Sequence, residues 1–148
     1  MRSAITLLAV VITLAAVDAA AQGQAQPLVN PNTATEQQLQ AQQPLTAAVV
    51  KGIMERRPFK TNVELNTYLR QTLSAEQATE VYRRVWIPLN LNTATREEIL
   101  LIPALGNRMA REFEEYRPYR NIEQFRREIG KYVNQQEVAR LERYVTLN

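Results

Sequence analysis

An ungapped internal repeat with a period of sixty residues sets the first limit on how this chain folds. Residues 30–87 align with residues 90–147, and the stretch NPNTATEQQL that begins at Asn30 returns as NLNTATREEI from Asn90. Positions that differ mostly keep their apolar or polar type. A match at one fixed period indicates two copies of the same structural unit. Because a unit of about sixty residues buries only a small core, we expect the two copies to pack together.

Helix-start signals recur at the same places in both copies. Thr35 and Thr95 each have Gln or Glu three residues later, which is the spacing of a capping box. Further cap signals occur at Thr61, Ser74, Asn121 and Asn134. Apolar residues at helical spacing follow, so the pattern predicts four short helices in each copy. They cover about 36–42, 46–57, 62–71 and 75–85 in the first copy, and about 96–102, 107–117, 122–130 and 135–145 in the second.

The sequence therefore predicts an all-α fold of two tandem four-helix units, the first over residues 32–87 and the second over residues 88–148. No segment predicts a strand. Residues 86–91 are expected to form an extended joint, with Trp86 as the anchor between the units. Residues 22–31 are rich in Gln, Ala and Pro, which is the composition of a flexible leader.

Residues 1–21 have the order of a secretory signal peptide. Arg2 precedes an apolar run from Ala4 to Val17, and three alanines then offer a cleavage site before Gln22. The run of fourteen residues is shorter than the ~20 that a membrane-spanning helix needs. We therefore expect a periplasmic or secreted bacterial protein, with no stable membrane span after the signal is cleaved.

The composition excludes most kinds of catalysis. The chain contains no cysteine and no histidine, so it lacks the side chain best suited to proton transfer at neutral pH and the usual ligands of zinc. We expect neither an enzyme nor a bound metal or cofactor. The formal net charge of +3 permits a polyanionic partner but does not require one.

The stretch NLNTATREEILLIPALGNRMAREFEEYRPY, from Asn90, resembles the ComEA-type helix-hairpin-helix proteins, and the equivalent stretch from Asn30 resembles them more loosely. The family pattern is N-x-N-T-A-[ST], a short helix, a Pro-Gly-Ile-Gly turn, and a helix that ends in Tyr-Arg before Pro. The resemblance implies two helix-hairpin-helix motifs in each unit. It also implies an exported, non-enzymatic protein that binds double-stranded DNA without sequence preference, usually in DNA uptake.

Glycine in the turns is what such DNA binding requires. It lets the backbone approach a phosphate, and the free amides of the following helix then hold the anion. Of the four equivalent turns, at 43–46, 71–74, 103–106 and 131–134, only the third keeps a glycine, Gly106. Nearby basic side chains add the salt-dependent attraction to DNA. The candidate DNA-binding residues are therefore Leu105, Gly106, Asn107, Arg108, Arg111 and Lys131.

Several of these residues also have a purely structural interpretation. Gly106 can serve a tight turn between two helices. Arg108 with Glu112, and Arg111 with Glu115, have the spacing of ion pairs on a helix surface.

Other candidate patches favour structure over binding. Glu80 and Glu123 are spaced to pair with Arg84 and Arg127, so the arginine dyads there are expected to lie on solvated faces. The acids at positions 112, 114 and 115 lack the further oxygen donors that a hard cation needs. The aromatic residues whose spacing fits core packing better than base stacking are Phe113, Tyr116, Tyr119 and Phe125.

Two functional hypotheses remain. In the first, an exported module binds double-stranded DNA weakly through the turn at Gly106 and the flanking arginines. In the second, the scaffold has lost contact with DNA and serves protein–protein association with envelope proteins. A phosphate-driven complex weakens sharply between about 20 and about 200 mM salt, so a salt titration separates the two.

Overall fold

The computed structural model describes residues 27–148 and shows a chain built mainly from helices, as the sequence predicts. The predicted signal peptide and residues 22–26 of the predicted leader lie outside the described residues. The eight helices of the described part are α1 (Glu36–Gln40), α2 (Ala47–Arg56), α3 (Asn62–Leu69), α4 (Ala75–Tyr82), α5 (Arg96–Leu100), α6 (Asn107–Glu115), α7 (Ile122–Ile129) and α8 (Gln135–Glu142).

Side chains at the helix starts explain where these short helices begin. Each bond from a cap satisfies an amide that has no partner inside the helix. The predicted helices extend one to three residues beyond the observed ends. For example, the first is predicted to end at residue 42 and ends at Gln40, and the fourth is predicted to end at residue 85 and ends at Tyr82. The helices end earlier because the chain forms a tight turn there, as where the Gln42 amide donates to the Leu39 carbonyl. The predicted caps are confirmed at Thr35, Thr61, Ser74, Thr95, Asn121 and Asn134.

Two short parallel strands connect the start of the second copy to its end. β1 (Leu89–Asn90) pairs with β2 (Val145–Thr146). A single parallel bridge between Val29 and Val85 repeats this pairing sixty positions earlier. The sequence does not predict these strands, because two residues are too few to show the alternating pattern of a strand.

Residues 27–31 are the end of the segment that was expected to be a flexible leader. The Val29 amide donates to the carbonyl oxygen of Arg84 at 2.7 Å, and the Val29 carbonyl accepts the Trp86 amide at 2.9 Å. Pro31 is buried. Backbone hydrogen bonds therefore join these residues to the chain that follows α4, and the flexibility of the leader stays a prediction.

The Asn-x-Asn motif of each copy clamps the start of the repeat to a distant turn. The Asn32 side chain donates to the Phe59 carbonyl and accepts the Phe59 amide, both at 2.8 Å. Asn92 makes the same two bonds with Tyr119, at 2.9 and 2.7 Å. The motif is repeated because both copies need this clamp as well as the helix cap that follows it.

The arginine before the proline of each copy is also structural. Arg117 donates to the carbonyl oxygens of Leu91 at 2.6 Å and Ala94 at 2.7 Å. Arg57 donates to the Ala34 carbonyl at 2.8 Å. These guanidinium groups satisfy backbone acceptors where the chain enters α1 and α5, so their conservation between copies does not indicate a ligand.

One continuous apolar cluster contains residues of both copies, and Trp86 connects them. Its side chain is 1% exposed and lies edge-on to Tyr82 and Tyr144, with ring centroids 5.6 and 5.2 Å away. The indole N–H donates to the Tyr144 carbonyl at 2.9 Å. Trp86 therefore anchors the end of α4 to the end of α8, as its position in the joint predicts.

Candidate nucleic-acid interface

Helix α6 begins differently from every other helix of residues 27–148. Seven of the eight helices start with a Ser, Thr or Asn side chain that accepts an amide of the first turn, whereas the N-cap of α6 is Gly106, which offers none. In the first copy the equivalent residue, Thr46, accepts the Val49 amide at 3.3 Å. The first amides of α6 are therefore available to an outside acceptor, and the helix dipole adds positive potential there.

The backbone at Gly106 is open to solvent. The residue is exposed, and a Cβ built on it would meet no atom of the described residues within 4 Å. Its φ of −91° and ψ of 171° suit any amino acid. Glycine is therefore not required here by the conformation or by neighbours within the described chain. Its lack of a side chain matters only to a group that approaches from outside.

The two residues before Gly106 give the turn its shape. Leu105 is 8% exposed, its side chain packs in the core, and its amide donates to the Ile102 carbonyl. Its place among the candidate DNA-binding residues stays a prediction. Ala104 takes the position of the first glycine in the family pattern and has a φ of 61°. The left-handed conformation survives there without the residue that best tolerates it.

Replacing Ala104 by glycine should raise the free energy of unfolding by roughly 0.5–1 kcal/mol, because the left-handed region is strained for residues with a Cβ. Urea unfolding followed by circular dichroism measures the change. Ala139→Gly is a matched control, since Ala139 is exposed inside helix α8, where the same substitution should cost up to about 1 kcal/mol. Equal destabilisation by both variants would contradict the assignment of strain to Ala104.

Arg108 and Arg111 are exposed and form no ion pair with any described residue. The predicted pairs with Glu112 and Glu115 are wrong. Glu112 is 8% exposed and turns into the protein on the face of α6 that also buries Phe113. The two arginines therefore keep their charge available on the outer face of α6.

Lys131 lies close to this surface but is already paired. Its ammonium group bonds with Glu128 and lies 5.0 Å from the ring centroid of Tyr116. The bond with Glu128 raises the pKa of Lys131, so the amine stays charged. Because that charge is partly neutralised, Lys131 is a weaker candidate for contact with a phosphate than Arg108 and Arg111.

Tyr132, which the sequence did not single out, links Lys131 to Arg108. Its hydroxyl lies 2.8 Å from the hydroxyl of Tyr116, and the Arg108 guanidinium carbon is 5.9 Å from its ring centroid. Hydrogen bonding with Tyr116, and then with Glu112, raises the pKa of Tyr132, so the hydroxyl remains protonated at neutral pH. A neutral phenol beside a cation is compatible with a phosphate ligand.

Asn107 is exposed at the first position of α6, and its carbonyl oxygen accepts the Arg96 side chain at 3.2 Å. Arg96 also bonds Glu114 at 2.5 Å, so it ties the start of α5 to both ends of α6. This contact fixes the direction of the first turn of α6 without using its amides.

The remaining structural interpretations are largely correct, with altered partners. Glu80 pairs with Arg83 at 3.0 Å, and not with the predicted Arg84. Glu123 pairs with Arg126 at 3.6 Å, and not with the predicted Arg127. The arginine dyads thus lie on solvated, paired faces. Phe113, Phe125 and Tyr119 are buried in the core as expected, and Tyr116 is half-buried.

The structure adds basic residues that the sequence did not bring together. Arg70 lines a cleft beside the turn at 103–105. Arg117, Arg120 and Arg127 line another cleft, of about 420 Å³, but Arg117 is bonded to the backbone as described above, and Arg127 is paired with Glu128 at 3.0 Å. Sequence spacing gave no signal for these groups, because they come from different turns and helices.

Comparison of the chain with models of known protein families, with characterised proteins and with solved structures finds no match. Among residues 27–148, no cluster of acidic side chains is arranged to hold a metal ion. None of the helices described here is both long enough and apolar enough to cross a bilayer.

Proposed function

We propose that the protein is an exported, non-enzymatic, ComEA-like module of two tandem helix-hairpin-helix units that binds double-stranded DNA weakly and without sequence preference. The turn at 103–106 and the first turn of α6 hold one phosphate, and Arg108 and Arg111 add electrostatic attraction. The proposed location is the periplasm or the cell exterior, where a DNA-uptake role fits such a module.

One observation carries this proposal: α6 alone among the described helices starts without a side-chain cap, at an exposed glycine followed by two arginines without acidic partners. Helix amides and adjacent cations are the groups that non-specific DNA binding uses. The equivalent start in the first copy is capped by Thr46, and the nearby Lys51 lies 3.9 Å from Glu55. We therefore assign DNA binding to the second copy.

The substitutions Arg108→Gln and Arg111→Gln should each weaken the DNA complex. Each should also reduce the slope of log K against log salt concentration by about 1, because one phosphate contact is lost. Fluorescence anisotropy with a labelled duplex, between about 20 and about 200 mM salt, measures both quantities. Arg83→Gln is the matched control, since it removes the same charge from an exposed arginine that is paired with Glu80 at 3.0 Å. If Arg83→Gln weakened DNA binding as much as Arg108→Gln or Arg111→Gln, the loss of affinity would reflect net charge alone and would not support a site at α6.

A second candidate function, a protein-interaction scaffold at the envelope, is favoured by an open groove between α7 and α8. Absence of a DNA complex at about 20 mM salt would select this alternative, because phosphate-driven binding is strongest there.

A further inference from the structure

The grooves between α3 and α4 and between α7 and α8 are copies of each other. The α7–α8 groove has a volume of about 610 Å³, and six of its lining residues lie sixty positions after residues that line the α3–α4 groove. In the α3–α4 groove these residues are Asn66, Arg70, Ala75, Ala78, Thr79 and Tyr82. In the α7–α8 groove they are Arg126, Gly130, Gln135, Val138, Ala139 and Glu142.

A polar contact links the same two positions of each groove. Tyr82 donates to the side-chain oxygen of Asn66 at 2.7 Å. Sixty positions later, Arg126 makes two bonds with Glu142, at 2.7 and 2.6 Å. The same two positions therefore join the two helices in both copies, and the six equivalent lining positions lead us to expect grooves that accept similar shapes.

Only the first groove is covered within the described chain. Residues 100–105, the turn between α5 and α6, form the opposite wall of the α3–α4 cleft, and α5 packs against α3. The turn presents apolar side chains, and Ile102 is 1% exposed. About 320 Å³ of the cleft remains open. No described segment lies over the α7–α8 groove in this way, and Ala139 in it is exposed.

We propose that the α7–α8 groove docks an apolar helix–helix turn of a partner protein, with the chemistry that residues 100–105 present to the α3–α4 groove. That chemistry is consecutive aliphatic residues leading into a proline: Leu100, Leu101, Ile102 and Pro103. The groove supplies Val138 at its base and the methyl group of Ala139 at its surface, with the paired Arg126 and Glu142 at its edge. The interaction is separate from DNA binding, because none of these groove residues belongs to the turn at 103–106 or to α6.

A second copy of this chain is a poorer occupant. Its equivalent turn, between α1 and α2, has Gln40, Ala41 and Gln42 where the docking turn has two leucines and an isoleucine. Burying an aliphatic side chain such as Ile102, which is 1% exposed in the docking turn, is worth about 1.5–3 kcal/mol, and the equivalent Gln42 cannot supply it. The α1–α2 turn therefore lacks the apolar side chains needed for docking, whereas the α7–α8 groove keeps the shape that could bind such a turn.

Grafting the docking turn onto the α1–α2 turn tests the groove within the whole protein. The variant carries Gln40→Leu, Ala41→Leu and Gln42→Ile, and we expect it to associate head-to-tail at least about tenfold more strongly than the unmodified protein in sedimentation velocity. Adding Ala139→Arg, which places a charged side chain in the groove, should abolish the gain. Association that Ala139→Arg leaves unchanged would overturn the proposal.

A peptide of residues 94–108 provides a second measurement that does not depend on the folding of the graft. Titrated into the unmodified protein, it should shift the amide resonances of Gly130 and Ala139, and it should not do so with Ala139→Arg. Absence of shifts at those amides, together with a folded graft that does not associate, would dismiss the docking site. Self-association of the unmodified protein that Ala139→Arg removes would overturn the choice of a foreign partner and assign the groove to a second copy.

Discussion

If the proposed function is correct, replacing Gly106 by threonine should weaken DNA binding by at least about tenfold, because the proposed charge-assisted hydrogen bond to phosphate is worth roughly 1.5–3 kcal/mol. The backbone there, with φ −91° and ψ 171°, nearly matches that of Thr46, with φ −86° and ψ 160°. The new hydroxyl is therefore placed to accept the Met109 amide, as Thr46 accepts that of Val49. The free energy of unfolding should stay constant or rise by a few tenths of a kcal/mol, up to about 1.

The combination of retained stability and lost affinity is what distinguishes a binding role from a structural one. Anisotropy with a labelled duplex at about 20 mM salt and urea unfolding are the two measurements. Thr46→Gly is the reciprocal control: it uncaps α2, and it should leave DNA affinity unchanged because that turn lacks the unpaired arginines. If the Gly106→Thr protein binds DNA as well as the unmodified protein, the phosphate does not lie at the start of α6.

Replacing Trp86 by alanine should lower the free energy of unfolding by about 3–5 kcal/mol, the usual cost of deleting a large buried aromatic side chain. The substitution removes the edge-on contacts with Tyr82 and Tyr144 and leaves the Tyr144 carbonyl without the indole N–H that bonds it at 2.9 Å. Since domains are stable by only about 5–15 kcal/mol, this loss is a large fraction of the total. Far-UV circular dichroism in urea measures it without the tryptophan signal.

Trp86→Phe separates packing from hydrogen bonding at the same place. The variant keeps a six-membered ring and removes the five-membered ring with its N–H. The Tyr144 carbonyl still accepts the Leu89 amide at 3.0 Å, so the expected cost is roughly 0.5–1.5 kcal/mol for the lost hydrogen bond, in addition to the cost of the smaller ring. A loss below about 1 kcal/mol for Trp86→Ala would show that the contact between the two copies does not depend on this residue.

The helix starts were predictable because their causes are local. Thr35, Ser74 and Asn134 lie within three residues of the amides they accept, so sequence spacing contains the whole interaction. The buried positions of Phe113 and Phe125 follow from helical periodicity in the same way. The candidate turn was also found locally, because Gly106 is the one glycine in the four equivalent turns.

The surroundings of that turn were not predictable. The spacing in the sequence pairs Arg108 with Glu112, but tertiary packing buries Glu112, and Arg108 forms no ion pair with any residue of 27–148. The sequence analysis placed Leu105 among the candidate DNA contacts, whereas the structure buries its side chain in the core. Ion pairs on a helix are weak enough, at about 0.2–0.5 kcal/mol, for packing to override them.

The amino-acid sequence by itself determined the repeat, the helix caps, the apolar faces and the position of the remaining glycine, because each depends on residues a few positions apart. Only the tertiary structure decided that the chain before α1 pairs with Val85, that Asn92 clamps Tyr119, and that residues 100–105 cover one of two equivalent grooves. Those contacts join residues far apart in the chain. Their formation depends on which surfaces meet when apolar area is removed from water, and no short stretch of sequence contains that information.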